Sequence, residues 1–131
     1  MAGYDVGMAD TAKRLSTNID GNFFVDATCI NCDTCRQLAP GSFVENGEFS
    51  SVFRQPEGES ERYQAYQALL ACPVGSIGAI VPDKAQMRAA TDSFPMLIEH
   101  NVYYNGFNSE KSYGANSYFI RHPDGNWLID S

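Results

Sequence analysis

The chain has 131 residues, 44% of them hydrophobic and 19% charged, a globular composition long enough for one ordinary domain or a small domain with an appendage. Its net charge is −7 and its nine Lys and Arg never form a run longer than the pair Lys13-Arg14, which argues against a nucleic-acid footprint and for a preference for basic protein surfaces. No apolar run approaches the ~20 residues of a membrane helix, and residues 1–20 lack the apolar core of a signal peptide and carry Asp5 and Asp10, so a cytoplasmic protein is expected.

Three stretches follow one another. Residues 1–22 read as a polar lead-in with a short helix over 9–15. Residues 23–82 contain every cysteine. Within them Phe23-Phe24-Val25-Asp26-Ala27 reads as a strand, and a short helix is expected around Cys35 to Leu38. Residues 42–45 and 48–53 flank Asn46-Gly47, a hairpin signal because both central residues of the favoured turn need positive φ. Residues 59–71 carry acids in the first turn, with Tyr63, Tyr66, Leu69 and Leu70 at helical intervals, and predict a helix that Pro73 ends. Residues 76–81 make a last apolar strand. Residues 83–131 differ in kind. A short helix is expected over 84–91, then strand-like runs at 96–104, 115–122 and 126–129, the last two joined by Pro123-Asp124-Gly125.

Four cysteines without an export signal are not read as two disulfides. Three of them, Cys29, Cys32 and Cys35, fall within seven residues, and two residues between cysteines suits shared ligation of a metal centre. Cys72 follows far downstream and precedes Pro73.

The run Cys29-Ile-Asn-Cys32-Asp-Thr-Cys35 with Cys72-Pro73 resembles the bacterial-type ferredoxins in their single-cluster form, over about sixty residues. That resemblance implies an α+β fold, a ferredoxin-like βαββαβ unit around one iron–sulfur cluster with a β-rich C-terminal extension. It implies that Cys29, Cys32, Cys35 and Cys72 hold one 4Fe–4S cluster used to pass single electrons, with no catalytic side chain. Two-cluster relatives carry a fourth cysteine in each motif that ligates the other cluster. Here Ala39 stands at that place after Cys35, and Arg62, Ala65 and Ala68 stand where partners of Cys72 would fall, so one cluster is expected. Zinc accepts four cysteines, but structural zinc sites usually pair C-x-x-C with a second pair or with histidines. A 3Fe–4S centre would follow from loss of the middle ligand, and Cys32 is present.

Ile30, Leu38, Phe43, Val74 and Ile77 are expected to keep water off the sulfurs or simply to form the core, and the backbone N–H groups of Asn31, Asp33 and Thr34 to point at them. From Asp20 to Asp83 there are nine acids and three bases. Proteins resembling this one dock on basic patches of redox partners, and Glu57, Glu59 and Glu61 are the acids expected to serve that role.

Pro95-Met-Leu-Ile-Glu-His100-Asn-Val-Tyr103-Tyr104, Gly114-Ala-Asn116-Ser-Tyr118-Phe-Ile120 and Asn126-Trp127-Leu-Ile-Asp130 resemble the opening strands of the metallo-β-lactamase fold. This implies an alternative: an N-terminal relay or structural part of a hydrolase or oxidoreductase whose active site lies beyond residue 131. That family's H-x-H-x-D-H motif is not in the sequence, and His100 and His122 do not match its metal positions. Tyr103, Tyr104, Tyr118, Phe119 and Trp127 read as sheet core. The domains expected are thus 1–22, 23–82 and 83–131, and the C-terminal strands are expected to pair with a second copy or another chain.

Overall fold

The computed structural model describes residues 9–106 and 117–130. A single 3-10 turn at Thr11–Lys13 stands where a helix over 9–15 was expected, capped by the Asp10 carboxylate accepting from the Ala12 N–H at 2.9 Å. Then come β1 (Phe23–Val25), α1 (Thr34–Leu38), β2 (Phe43–Asn46), β3 (Phe49–Val52), α2 (Gly58–Ala71) and β4 (Ile77–Ala79). β1 and β4 pair antiparallel, with Phe23 opposite Ala79 and Val25 opposite Ile77. β2 and β3 form a hairpin.

The lead-in is packed onto this unit. Leu15 donates its N–H to the Val25 carbonyl, Arg14 bridges to Asp26, and Asn18 is buried among β-strand backbone. The hairpin turn also differs from expectation. Asn46 pairs with Phe49, so the two loop residues are Gly47 and Glu48, and Gly47 carries positive φ (63°) while Glu48 does not. A type II′ turn needs positive φ only at its first central position, which glycine supplies without steric cost.

Helix α2 owes its packing to small residues. Ala65 and Ala68 are fully buried and let α1 approach closely, while Tyr66 and Leu69 fill the core with Phe23, Val25, Phe43, Val52 and Ile77. Tyr66 meets Phe23 edge-on at 4.9 Å between ring centroids, the arrangement the ring quadrupoles favour. Pro73 disfavours the helical conformation at the residue before it. Cys72 accordingly leaves the helix in extended conformation, with φ −63° and ψ 117°.

α3 (Lys84–Asp92) is capped by Asp83, whose carboxylate accepts from the Gln86 N–H. It lies against α2, with Ala90 fully buried in the same core. Tyr66 Oη accepts from the Asp83 N–H at 2.7 Å, and Gln67 Nε2 donates to Ser93 Oγ at 2.9 Å.

The single strand expected over 96–104 is broken in two. β5 (Met96–Glu99) and β6 (Val102–Tyr104) pair antiparallel around His100 and Asn101, with His100 at φ 50° and an irregularity between Leu97 and Glu99. β7 (Ser117–Ile120) and β8 (Trp127–Asp130) complete a four-stranded meander in the order β5-β6-β7-β8. The start of the run expected over 115–122, with Gly114, Ala115 and Asn116, lies outside the described residues. Alternation places Tyr104, Tyr118 and Ile129 in register on one face and Leu97, Tyr103, Phe119 and Leu128 on the other. Both faces are therefore apolar.

Candidate metal centre

The four cysteines come from three places in the chain and line one cavity. Cys29 and Cys32 lie in the loop after β1, Cys35 on the first turns of α1, and Cys72 at the end of α2. The loop is shaped by two residues in left-handed conformation, Asn31 (φ 56°) and Asp33 (φ 72°), residue types that tolerate it better than most. Cys35 is buried at 8% exposure, and the other three are half-buried. Val25, Val74 and Ile77 line the same cavity, and Ile30 borders it while remaining exposed. Leu38 and Phe43 belong to the core.

The sulfurs are surrounded by donors. The N–H groups of Asn31 and Ser50 point to Cys29 Sγ at 3.4 and 3.5 Å, and that of Ser76 to Cys72 Sγ at 3.3 Å. Cys32 Sγ and Thr34 Oγ1 are 3.4 Å apart. Only the Asn31 donor was anticipated from the loop. Ser50 on β3 and Ser76 before β4 reach the site through tertiary structure. Burial pushes the Cys35 thiol up to about 11, against a Ser50 hydrogen bond that works the other way, and burial likewise raises Cys72. A bare thiolate is thus costly here, and metal ligation is what would hold these sulfurs deprotonated.

A second network backs Cys72. The buried Asp26 carboxylate accepts from the N–H groups of Asp10 (3.0 Å) and Thr28 (2.9 Å) and from the Thr28 hydroxyl. Thr28 Oγ1 lies 2.6 Å from Ser76 Oγ, on the residue whose N–H faces Cys72. A third surrounds Arg36, whose Nε donates to Asp33 Oδ1 at 2.6 Å and whose Nη1 donates to Asn31 Oδ1 at 2.7 Å and Ser50 Oγ at 2.6 Å.

The arrangement suits a cluster. Four cysteines ring one cavity. A cubane takes thiolates spread around its faces. Where a second ligand set would fall, Ala39, Ala65 and Ala68 are packed into the core. His100 lies in the β5–β6 turn with Glu99 3.6 Å away, and His122 Nδ1 accepts from the Asp124 N–H, both on the exposed meander. Glu57 and Glu61 gather around Arg54, with Arg54 Nη2 2.5 Å from Glu61 and Nη1 3.9 Å from Glu57. They sit at the start of α2, a helix length of ~20 Å from Cys72 at its end. The acids with solvent access near the cysteine loop are Asp33 and Glu45, the latter accepting from Asn31 Nδ2 at 3.3 Å.

Among the described residues no helix is long and apolar enough to cross a membrane. Residues 25–79 match the family model of the 4Fe-4S single cluster domain of Ferredoxin I. No curated protein and no solved structure matches the chain. The matched segment begins in β1, ends in β4 and spans all four cysteines, so the similarity to a domain for one 4Fe–4S cluster takes in the whole site.

Proposed function

We propose that this chain is a one-electron carrier in which Cys29, Cys32, Cys35 and Cys72 ligate the cluster within a ferredoxin-like βαββαβ unit. The observation that carries the reading is that cysteines from three separate places line a single cavity with apolar walls. The cluster supplies a one-electron couple when bound. The protein's part is to hold it and tune it. Val25, Val74 and Ile77 exclude water, and the N–H groups of Asn31, Ser50 and Ser76 offset negative charge on sulfur. The half-exposed Cys29 and Cys32, beside exposed Ile30, form the side from which an electron leaves. No proton transfer or nucleophile is needed, so the chain as it stands is not an enzyme. Its partners are redox proteins with basic docking surfaces, in the cytoplasm.

Anaerobic purification with iron and sulfide analysis, followed by EPR of the reduced protein, tests this. About four iron and four sulfide per chain with a one-electron signal are expected. Stoichiometric zinc without sulfide would defeat the reading.

A second reading draws on the meander. Leu97 and Leu128 on one face and Trp127 and Ile129 on the other are all exposed, as in a sheet meant to lie between two layers. This supports a further layer over these strands, and the two covers we propose are a second copy of the chain or the rest of a larger metallo-β-lactamase-like fold. Whether the encoding gene continues into an H-x-H-x-D-H motif separates the two.

A further inference from the structure

We propose that Thr28, held by the buried carboxylate of Asp26, is a positioning residue that keeps the Ser76 N–H aimed at Cys72 Sγ and so raises the reduction potential of the centre. The proposal rests on the electron-carrier reading above.

This donor sits where its own backbone fixes it least. The Ser76 N–H lies 3.3 Å from Cys72 Sγ, four residues back along the chain. The peptide that carries it follows Gly75, which stands at φ 63°, and glycine has the widest choice of backbone angles. Rotation of that one peptide would turn the N–H off the sulfur. What holds it comes from the segment after β1, which grips Ser76 twice. The Ser76 carbonyl accepts from the Asp26 N–H at 2.8 Å, and the Ser76 hydroxyl lies 2.6 Å from Thr28 Oγ1.

The direction of the second grip is fixed. A hydroxyl has one proton and two lone pairs. Thr28 Oγ1 donates its proton to Asp26 Oδ1, so it meets Ser76 as an acceptor and Ser76 Oγ donates. The hydroxyl proton of Ser76 is thus spent on Thr28, and what Ser76 offers Cys72 is its amide. Asp26 is anchored in turn, its carboxylate accepting from the N–H groups of Thr28 at 2.9 Å and Asp10 at 3.0 Å. Through Asp10 the support of this sulfur reaches back into the lead-in. Asp26 and Ser76 are buried at 2% and 0% exposure, where such a chain of hydrogen bonds counts most. Thr28 lies at the surface, so its side chain can be changed without opening the core. Reduction adds a negative charge to a thiolate-ligated centre, so an N–H aimed at sulfur favours the reduced form, and a link that keeps it aimed acts in the same sense.

The test is the midpoint potential of anaerobically prepared full chain, by EPR-monitored titration, for wild type, Thr28→Val, Thr28→Ser, Ser76→Ala and the double variant of Thr28→Val with Ser76→Ala. Iron, sulfide and stability to denaturant are measured on each. Thr28→Val keeps the shape of the side chain and removes the hydroxyl. Ser76→Ala removes the other end of the same link and keeps the N–H. Each is expected to lower the reduced-to-oxidised ratio at fixed potential about threefold, a shift of ~28 mV to more negative values for one electron. Thr28→Ser restores the hydroxyl and should keep the wild-type potential, and the double variant should shift no further than the larger single change. An unchanged potential in Thr28→Val with a full cluster overturns the proposal, even where stability falls. A shift in Thr28→Ser as large as that in Thr28→Val overturns it too, as do fully additive shifts. If Thr28→Val lacks a full cluster, Ser76→Ala decides alone. Wild-type protein without iron and sulfide is a different failure, that of the carrier reading itself.

Discussion

Asn18 holds Val25 from both sides, its Oδ1 accepting the Val25 N–H at 3.1 Å and its Nδ2 donating to the Val25 carbonyl at 2.8 Å. The same side chain accepts from Val52 N–H at 2.9 Å and donates to the Leu15 carbonyl at 2.8 Å. It therefore satisfies the backbone of two strands and a turn in place of a sheet ladder. Asn18→Ala strands the buried Val25 and Val52 N–H groups, at about 1–3 kcal/mol each. A loss of about 3 kcal/mol in chemical denaturation is expected, with iron content unchanged at low temperature.

Removing one proposed ligand tests the closure of the cavity. Cys72→Ala is expected to lose or degrade the cluster, seen as a fall from about four iron per chain. The unit should also lose stability, because ligation ties the end of α2 to the loop after β1. Stripping iron from the wild type should lower its thermal midpoint in the same sense.

Docking charges should be local. Charge reversal at Glu45, beside the cysteine loop, is expected to slow electron transfer to a basic reductase several-fold at low salt. Reversal at Glu59, at the far end of α2, should change it little. The difference should shrink toward physiological ionic strength, where the Debye length is ~8 Å. Stopped-flow reduction across a salt series measures it.

The boundary after Pro82 is expected to be a poor place to cut. Ala90, Gln67–Ser93 and Tyr66–Asp83 bind α3 to α2. A chain ending at Ser93 should keep its cluster and remain monomeric. One ending at Pro82 should be less stable than that by about 2 kcal/mol, the scale of uncovering one core side chain. The full chain, with both faces of its meander apolar, should self-associate. Denaturation and light scattering on the three chains decide these points.

Glu61 gives a pH signature. Its carboxylate accepts from the Glu57 N–H at 2.9 Å and pairs with Arg54, and these hold it below the usual carboxylate range. A depressed carboxylate contributes stability above its unfolded value, about 4.3, and loses it as pH falls through the folded value. The difference in thermal midpoint between wild type and Glu61→Gln should therefore be present at neutral pH and fade in acid.

The gathering of the four cysteines around one cavity was legible because their spacing is written along the chain. Cys29, Cys32 and Cys35 needed only a loop to bring them together, and Pro73 announced where Cys72 leaves its helix. The hydrogen-bonding shell was not legible in the same way. Ser50 and Ser76 are unremarkable in sequence and acquire their roles through β-pairing and the turn after α2. Asn18 sat in a polar stretch that read as a lead-in, yet its partners include a residue 34 positions away. The break at His100 was hidden inside a continuous strand-like run, since a two-residue turn costs the apolar pattern almost nothing. The capture of α3 depended on one small residue, Ala90, whose burial no periodicity made visible.

The pairing of the first and last strands of the cluster unit has a mechanical consequence. Asn22 clasps Val81 through both its side-chain atoms, and three residue pairs follow inward to Val25 and Ile77. The chain thus enters and leaves at the same end of this short ladder. Tension applied across residues 22 and 81 would peel it open like a zipper, one rung at a time, rather than shear all rungs together. The last rung to part is Val25–Ile77, whose side chains wall the cavity. Pulling the ends apart is therefore a graded way to uncover the iron from behind, and a neighbour that clamps them together would seal it.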